Sequence, residues 1–286
     1  MEKLDEKIAQ NRAFPKWWDI LVMLLLFALA QGVFGLVLQI AGFVAPSTSS
    51  IDSVDIETYM NEQSALGRYA AIVHLFSFIF SIAILWIYAR LRGGKGVIHI
   101  RHKSSGFNPS VLLMGVMWLL ASQILLEPLL ELLPADNDQG IGRGIWAAFT
   151  AMISAPILEE LLCRGVLFEV LNRRWGVKVS IFISALFFGL LHLSPANAIV
   201  ALVAGLIFGV LYVRTSSLYA TIIIHAINNA LAFALINVGM DDVSFAEMLG
   251  GGVLYYVVYA LAAVVFVGAS VEAWFKVLRN KEKLEQ

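Results

Sequence analysis

The sequence predicts an all-α, polytopic membrane protein with eight transmembrane helices and both termini in the cytoplasm. Three observations support this fold class: the hydrophobic composition, a series of apolar runs, and the distribution of lysine and arginine. Of the 286 residues, 59% are hydrophobic and 14% are charged, whereas soluble domains are about 45–50% apolar. No polar stretch between the apolar runs is long enough to form a soluble core, which predicts a single membrane domain over residues 1–286.

The apolar runs define the predicted helices, because a helix needs about 20 apolar residues to cross the hydrocarbon core. The first run is longer than the core of a signal peptide, which has about 7–15 residues, so we expect it to remain as a span. Asn108-Pro109 is typical of a helix start with proline in the first position. The predicted spans lie at about 17–44, 69–91, 109–133, 144–171, 179–193, 196–213, 218–238 and 251–275.

The basic residues support this count, because cytoplasmic loops are enriched in lysine and arginine. With both termini inside, every lysine and arginine except Arg68, Arg143 and Arg164 falls in or beside a predicted inner segment. Seven or nine spans would spoil this asymmetry. The formal net charge is −1, and no nucleic-acid partner is expected.

One apolar run contains two adjacent carboxylates and an arginine, within Ala155-Pro-Ile-Leu-Glu-Glu-Leu-Leu-Cys-Arg164. Ionisable residues at membrane depth usually face a cavity, pair with one another, and mark a functional site. Glu160 and Arg164 are one turn apart in the order that favours an ion pair. Glu159 points about 100° away around the helix and has no such partner, which predicts that it is left for chemistry. Pro156 removes a backbone hydrogen bond and predicts a kink just before the two glutamates.

Polar residues also lie in two later predicted spans, namely His192, His225 and Asn229. The rise per residue places Glu159, His192 and Asn229 about 20 Å from the inner ends of their spans, and His225 about 13 Å. A carboxylate, two imidazoles and an amide at similar depth indicate a hydrolytic site, with a base for water and donors for an oxyanion. Asn228 is a rival to Asn229, because it also shares a helix face with His225.

These residues resemble the three motifs of the CPBP intramembrane proteases, also called the Abi family. The motifs are Glu159-Glu160-x-x-x-Arg164, Phe188-x-x-x-His192 and His225-x-x-x-Asn229, in the family's order. The family includes the CAAX-processing endopeptidase of eukaryotes and bacterial relatives tied to bacteriocin processing or self-immunity. Its eight-helix core implies a catalytic core at 144–238, preceded by the first three spans at 1–143 and followed by the last span and basic tail at 239–286.

The resemblance implies an intramembrane endopeptidase that cleaves membrane proteins or lipid-anchored peptides, here in a bacterial cell membrane. Glu159 and His192 would activate the attacking water, while His225 and Asn229 would stabilise the oxyanion. The family's spacing favours Asn229 over Asn228. Supporting roles are implied for Glu160, Arg164 and Phe188, the last packing against His192. Neither the identity of the substrate nor the oligomeric state follows from the sequence.

Two alternatives remain for a metal. The family was named as metalloproteases, and Glu159, His192 and His225 form a ligand set that suits zinc or another divalent metal. However, the helical HExxH arrangement of zinc peptidases is absent from the sequence. We prefer a metal-free glutamate protease in which His225 serves as a donor, so no cofactor is expected.

The remaining polar and small residues have simpler interpretations. His74, in the second predicted span, is expected to bond to another helix rather than to take part in catalysis. Gly205 and Gly209 form a GxxxG motif that indicates close helix packing within the monomer. A transporter would also use buried Glu, His and Arg, but the chain shows no internal repeat. A non-catalytic immunity or scaffold protein has no need of the intact motif set.

Overall fold

The computed structural model describes residues 14–49, 53–93, 100–101, 103, 108–133, 142–192, 194–240 and 243–284. It describes side chains as far as residue 276. The described residues are mostly helical and contain no strand, which confirms the all-α prediction. Two π-helical segments, π1 and π2, interrupt the α-helices. In chain order the elements are α1 (Trp17–Ile40), α2 (Ile56–Gly93), α3 (Pro109–Leu130), α4 (Ile145–Phe149), π1 (Thr150–Ser154), α5 (Ala155–Glu160), π2 (Leu161–Phe168), α6 (Glu169–Leu190), α7 (Pro195–Thr215), α8 (Leu218–Asn237), α9 (Phe245–Met248) and α10 (Gly252–Leu284).

Seven helical stretches among the described residues have the length and apolar composition needed to cross a membrane. The protein is therefore a multi-pass membrane protein. One stretch, Ile145–Leu190, has 46 residues and covers both the fourth and the fifth predicted spans. At about 1.5 Å per residue it is far longer than the roughly 30 Å of a hydrocarbon core.

Gly176 divides this long stretch. Its backbone has φ 74° and ψ 177°, which is not helical, so two helices meet there within α6. A glycine adopts positive φ without the steric penalty that a Cβ atom brings. The division falls inside the basic segment that holds Arg173, Arg174 and Lys178, where the sequence predicts a turn between spans.

The helix start predicted at Asn108-Pro109 is confirmed for α3, and α2 extends beyond its predicted span. Asn108 caps α3, and its side chain accepts a hydrogen bond of 2.9 Å from the Ser110 amide. The helix α2 begins at Ile56, well before the span predicted from about residue 69. The Asp55 carboxylate accepts a hydrogen bond of 2.9 Å from the Thr58 amide and so satisfies an amide that a helix start leaves without a partner. Polar residues ended the predicted span, but they do not end the helix.

The backbone around Pro156 stays helical. Proline has no amide hydrogen, so it cannot supply the usual bond to the preceding turn. Directly before it the helix widens to the π form in π1, where the Ala155 amide donates to the Thr150 carbonyl. A second π segment, π2, follows α5. Such segments are rare and frequently occur at functional sites.

The chain forms two compact units, residues 1–100 with 139–176, and residues 101–138 with 177–286. In the first unit α1 packs on α2, and α2 also packs on π1, α5 and π2. An ion pair joins α1 to α2: the buried Asp19 carboxylate accepts hydrogen bonds from Arg92 Nε at 2.9 Å and Tyr88 Oη at 2.6 Å. The subdivision at 143 and 238 remains a prediction.

In the second unit α7 packs closely against α6, α3 and α8 also contact α7, and α10 packs on α3 and α7. A Cβ atom on Gly205 would lie 3.0 Å from Ala185 Cα and 3.2 Å from Phe188 Cδ1, and one on Gly209 would lie 3.1 Å from Ile181 Cγ2. The two glycines therefore allow α6 and α7 to approach within this unit. This confirms that the GxxxG motif serves packing within the monomer.

Candidate active site

Glu160 and Arg164 form a buried ion pair in the first unit. Arg164 Nη1 donates to Glu160 Oε1 at 2.6 Å, and both side chains have 0% exposure. The pair expected from the one-turn spacing is therefore present, with Glu160 at the end of α5 and Arg164 in π2. A charged hydrogen bond this short, away from water, ties the two segments together.

Glu159 is also buried, with 9% of its surface exposed. His74 of α2 faces it, and His74 Nε2 lies 3.5 Å from Glu159 Oε1. This separation is somewhat longer than an ordinary hydrogen bond. The sequence predicted no partner for Glu159, and it assigned His74 to a contact between helices. Both residues are in fact part of one such contact, which local spacing along either helix cannot reveal.

His192 lies just beyond the end of α6, where the chain has left the helix. The His192 amide donates to the Gly189 carbonyl, and His192 Nδ1 lies 3.0 Å from the Phe188 carbonyl oxygen. A carbonyl oxygen only accepts, so Nδ1 carries the hydrogen in this contact. The lone pair of a neutral His192 ring is then on Nε2, the nitrogen able to accept a proton from water.

His225 is buried in α8 with 3% exposure. Its ring stacks on Phe208 of α7, with centroids 4.8 Å apart and an interplanar angle of 27°. Phe188 approaches both imidazoles edge-on, with centroids 5.2 Å from His192 and 5.6 Å from His225. The two histidines of the second unit thus share one aromatic neighbour, which restricts the orientation of both rings.

Asn228 and Asn229 occupy the next turn of α8, and a residue on α3 distinguishes them. Gln123 Nε2 donates to Asn228 Oδ1 at 2.7 Å. Asn228 Nδ2 in turn approaches Asn229 Oδ1 at 3.4 Å. Asn228 thus contacts Gln123 through its oxygen and Asn229 through its nitrogen, whereas Asn229 takes part in this contact with its oxygen.

Sequence reasoning missed two residues beside the predicted site residues, Gln123 and Phe208, and it missed the contact of His74 with Glu159. Gln123 carried a signal, since it is a polar residue inside a predicted span and such residues tend to bond across helices. Phe208 carried none, because a phenylalanine in an apolar run is ordinary. His74 was recognised as a buried polar group, but its proximity to Glu159 depends on how α2 packs against α5.

The metal alternative needs Glu159, His192 and His225 as ligands. Among the described residues, no three histidine, cysteine, aspartate or glutamate side chains form a group that could hold a metal ion. Glu159 belongs to the first unit, whereas His192 and His225 belong to the second.

The helices define a class, that of multi-pass membrane proteins, and a comparison with protein families narrows it. Residues 141–231 match the model of the Rce1-like family, described as type II CAAX prenyl endopeptidase Rce1-like. The match confirms the resemblance to the CAAX protease family over this segment, which contains Glu159, His192, His225 and Asn229. None of the curated proteins and none of the solved structures matches the chain.

Proposed function

We propose that the protein is an intramembrane endopeptidase that hydrolyses peptide bonds of membrane-associated proteins or peptides. One observation carries the proposal: the segment that matches the CAAX endopeptidase family contains all four proposed catalytic residues, Glu159, His192, His225 and Asn229. Burial of Glu159 and His225 supports it. Fixed charges and dipoles stabilise a developing charge far better in a site that excludes water than in bulk water.

Glu159 and His192 act on the attacking water in this proposal. The Glu159 carboxylate takes a proton as the water oxygen bonds to the carbonyl carbon, and His192 Nε2 orients the water through its lone pair. The carbonyl electrons move to the oxygen and form a tetrahedral oxyanion. The proton held by Glu159 then passes to the leaving nitrogen as the carbon–nitrogen bond breaks.

His225 and Asn229 stabilise the oxyanion with hydrogen bonds from an imidazole N–H and an amide N–H. Donors fixed before the reaction need not reorganise when the charge develops. The stacked Phe208 ring and the edge of Phe188 hold the His225 imidazole in place. Asn229 contacts Asn228 through its oxygen, and we assign its amide N–H to the oxyanion.

The two asparagines are expected to differ sharply when replaced. Loss of one oxyanion donor typically lowers kcat about 10²–10³-fold, and we expect this of Asn229→Ala with little change in KM. Asn228→Ala is the matched control and should lower kcat much less, since it removes only an orienting contact. Hydrolysis kinetics of both purified variants test this, and a greater loss in Asn228→Ala would assign the donor to Asn228.

The proposed activity can be tested before any substrate is identified. Membranes containing the wild-type protein and membranes containing Glu159→Ala are compared by quantitative proteomics of protein termini. The wild-type sample should contain new termini within or next to membrane-spanning segments, and the variant sample should lack them. Identical termini in both samples would contradict the proposed activity. A peptide carrying such a cleavage site then serves as a bilayer-embedded reporter.

The metal-free alternative predicts that hydrolysis of the reporter is unaffected by chelation. Purified enzyme is dialysed exhaustively against a strong chelator and assayed with and without added zinc. We expect the same rate in every sample, because Glu159 takes the proton from water and His192 orients the water without a metal. A rate abolished by chelation and restored by zinc would instead support the ligand set Glu159, His192 and His225.

We further propose eight spans with both termini in the cytoplasm, since Gly176 divides the long helical stretch between the fourth and fifth predicted spans. Val177→Cys would then lie inside, and Asn137→Cys outside, in a segment that is not among the described residues. An impermeant thiol reagent on intact cells should label only position 137. The native Cys163 is fully buried and should give little background. Labelling at 177 but not at 137 would reverse the orientation.

A further inference from the structure

The strongest unassigned feature is His74, which lies outside the segment that matches the CAAX endopeptidase family. It is on α2, in the same compact unit as Glu159. Its Nε2 atom is 3.5 Å from Glu159 Oε1. The contact joins the candidate base to a helix that carries none of the three motifs.

The His74 ring is held on two sides. Phe78, one turn further along α2, stacks on it with centroids 4.4 Å apart and an interplanar angle of 24°. Ser154, the last residue of π1, places its hydroxyl oxygen 3.5 Å from His74 Nδ1. Ser154 is itself buried. The ring therefore has little freedom to turn its Nε2 edge away from Glu159.

The hydroxyl of Ser154 also bears on the tautomer of His74. A serine hydroxyl can donate its hydrogen to Nδ1, and a neutral ring that accepts there carries its own hydrogen on Nε2. That hydrogen is directed toward the Glu159 carboxylate. Within the described part of the chain, Nε2 is buried and makes no ordinary hydrogen bond. A buried donor without a partner is costly, so a small approach to Glu159 is favoured.

A buried ion pair lies beside Glu159 in the sequence. In it, Arg164 Nη1 of π2 donates to Glu160 Oε1 of α5 at 2.6 Å. Catalytic hydrogen bonds are often long in a free enzyme and tighten when substrate binds. A separation of 3.5 Å between His74 Nε2 and Glu159 Oε1 fits such a contact.

We propose that His74 is a positioning residue for Glu159, donating from Nε2 to one carboxylate oxygen so that the other oxygen faces the attacking water. The inference rests on the proposed function, because it assigns His74 through the role of Glu159. The proposed site then also includes His74 of α2 and Ser154 of π1.

The two amide analogues of histidine separate the two edges of the ring. In His74→Gln the amide nitrogen can take the place of Nε2 and still donate toward Glu159. In His74→Asn it can take only the place of Nδ1, next to Ser154. With the reporter peptide in bilayers, we expect His74→Asn to lower kcat roughly 10- to 100-fold with KM unchanged, as for a lost hydrogen bond to a charged group. His74→Gln should stay within a few-fold of wild type.

A double-mutant cycle gives a second readout. If His74 acts through Glu159, then His74→Asn should cause no further loss of kcat in a Glu159→Gln background. Unfolding temperatures in detergent are recorded for each variant. Should His74→Asn fail to fold, Ser154→Ala replaces it, with an expected several-fold loss of kcat that Ser154→Thr restores.

Wild-type kcat in His74→Asn would overturn the inference, as would equal losses in the Asn and Gln variants. A rise in KM at unchanged kcat would also overturn it, because it would place His74 in substrate binding or packing. Full activity of Glu159→Gln is the distinct result that would refute the proposed function. An inactive Glu159→Gln with a fully active His74→Asn would refute the positioning role alone.

Discussion

Replacing Glu159 with glutamine is expected to lower kcat for hydrolysis of the reporter peptide by about 10²–10⁴-fold, the range for loss of a general base. The amide has nearly the same shape as the carboxylate, but it cannot take a proton from water. Its carbonyl oxygen can still accept a hydrogen bond from His74, so the local packing should persist. The unfolding temperature in detergent should therefore stay close to that of the wild-type protein.

Glu169→Gln is the matched control for this experiment. Glu169 is also a buried glutamate of the first unit, with 7% exposure, but it stands outside the three motifs. Glu169→Gln makes the same change of one oxygen to nitrogen, and the kcat of this variant should stay near the wild-type value. Equal losses in both variants would show that activity responds to any buried glutamate, and unchanged activity in Glu159→Gln would remove Glu159 as the base.

Sequence reasoning succeeded where the determining interaction is local. The Glu160–Arg164 pair follows from one-turn spacing alone, and the capped start of α3 follows from Asn108-Pro109. The second predicted span starts at about residue 69 because hydropathy reports where a membrane span begins, whereas the helix bonding of α2 already begins at Ile56. A cap such as Asp55 is the better indicator of where a helix begins.

For the candidate site, the sequence predicted the residues on each helix but not the contacts between helices. The motif residues could be found from their type and spacing, since each motif is contained in a few turns. Their neighbours depend on which helices pack together, and neither hydropathy nor periodicity specifies that. His74 and Gln123 contact Glu159 and Asn228 from helices far away in sequence. Likewise π1 and π2 change the helix register locally, and neither hydropathy nor motif spacing indicates them.

Glu160→Gln and Arg164→Ala are expected to lower the free energy of unfolding by roughly 3–5 kcal/mol each, as for breaking a buried ion pair. Both side chains are fully buried, so each variant leaves the remaining partner without a full counter-charge in low dielectric. Yield from membranes and unfolding in detergent measure this loss, and activity should fall with the folded fraction.

Replacing both charges together tests the cause of that loss. Glu160→Leu with Arg164→Met fills a similar volume with apolar atoms and leaves no uncompensated charge, so it should be more stable than either single variant. If Glu159→Gln instead proves less stable than Glu160→Gln, the structural role belongs to Glu159 and the assignment of the two glutamates is reversed. The stabilities of the single and double variants thus separate the glutamate that holds the fold from the one that acts on water.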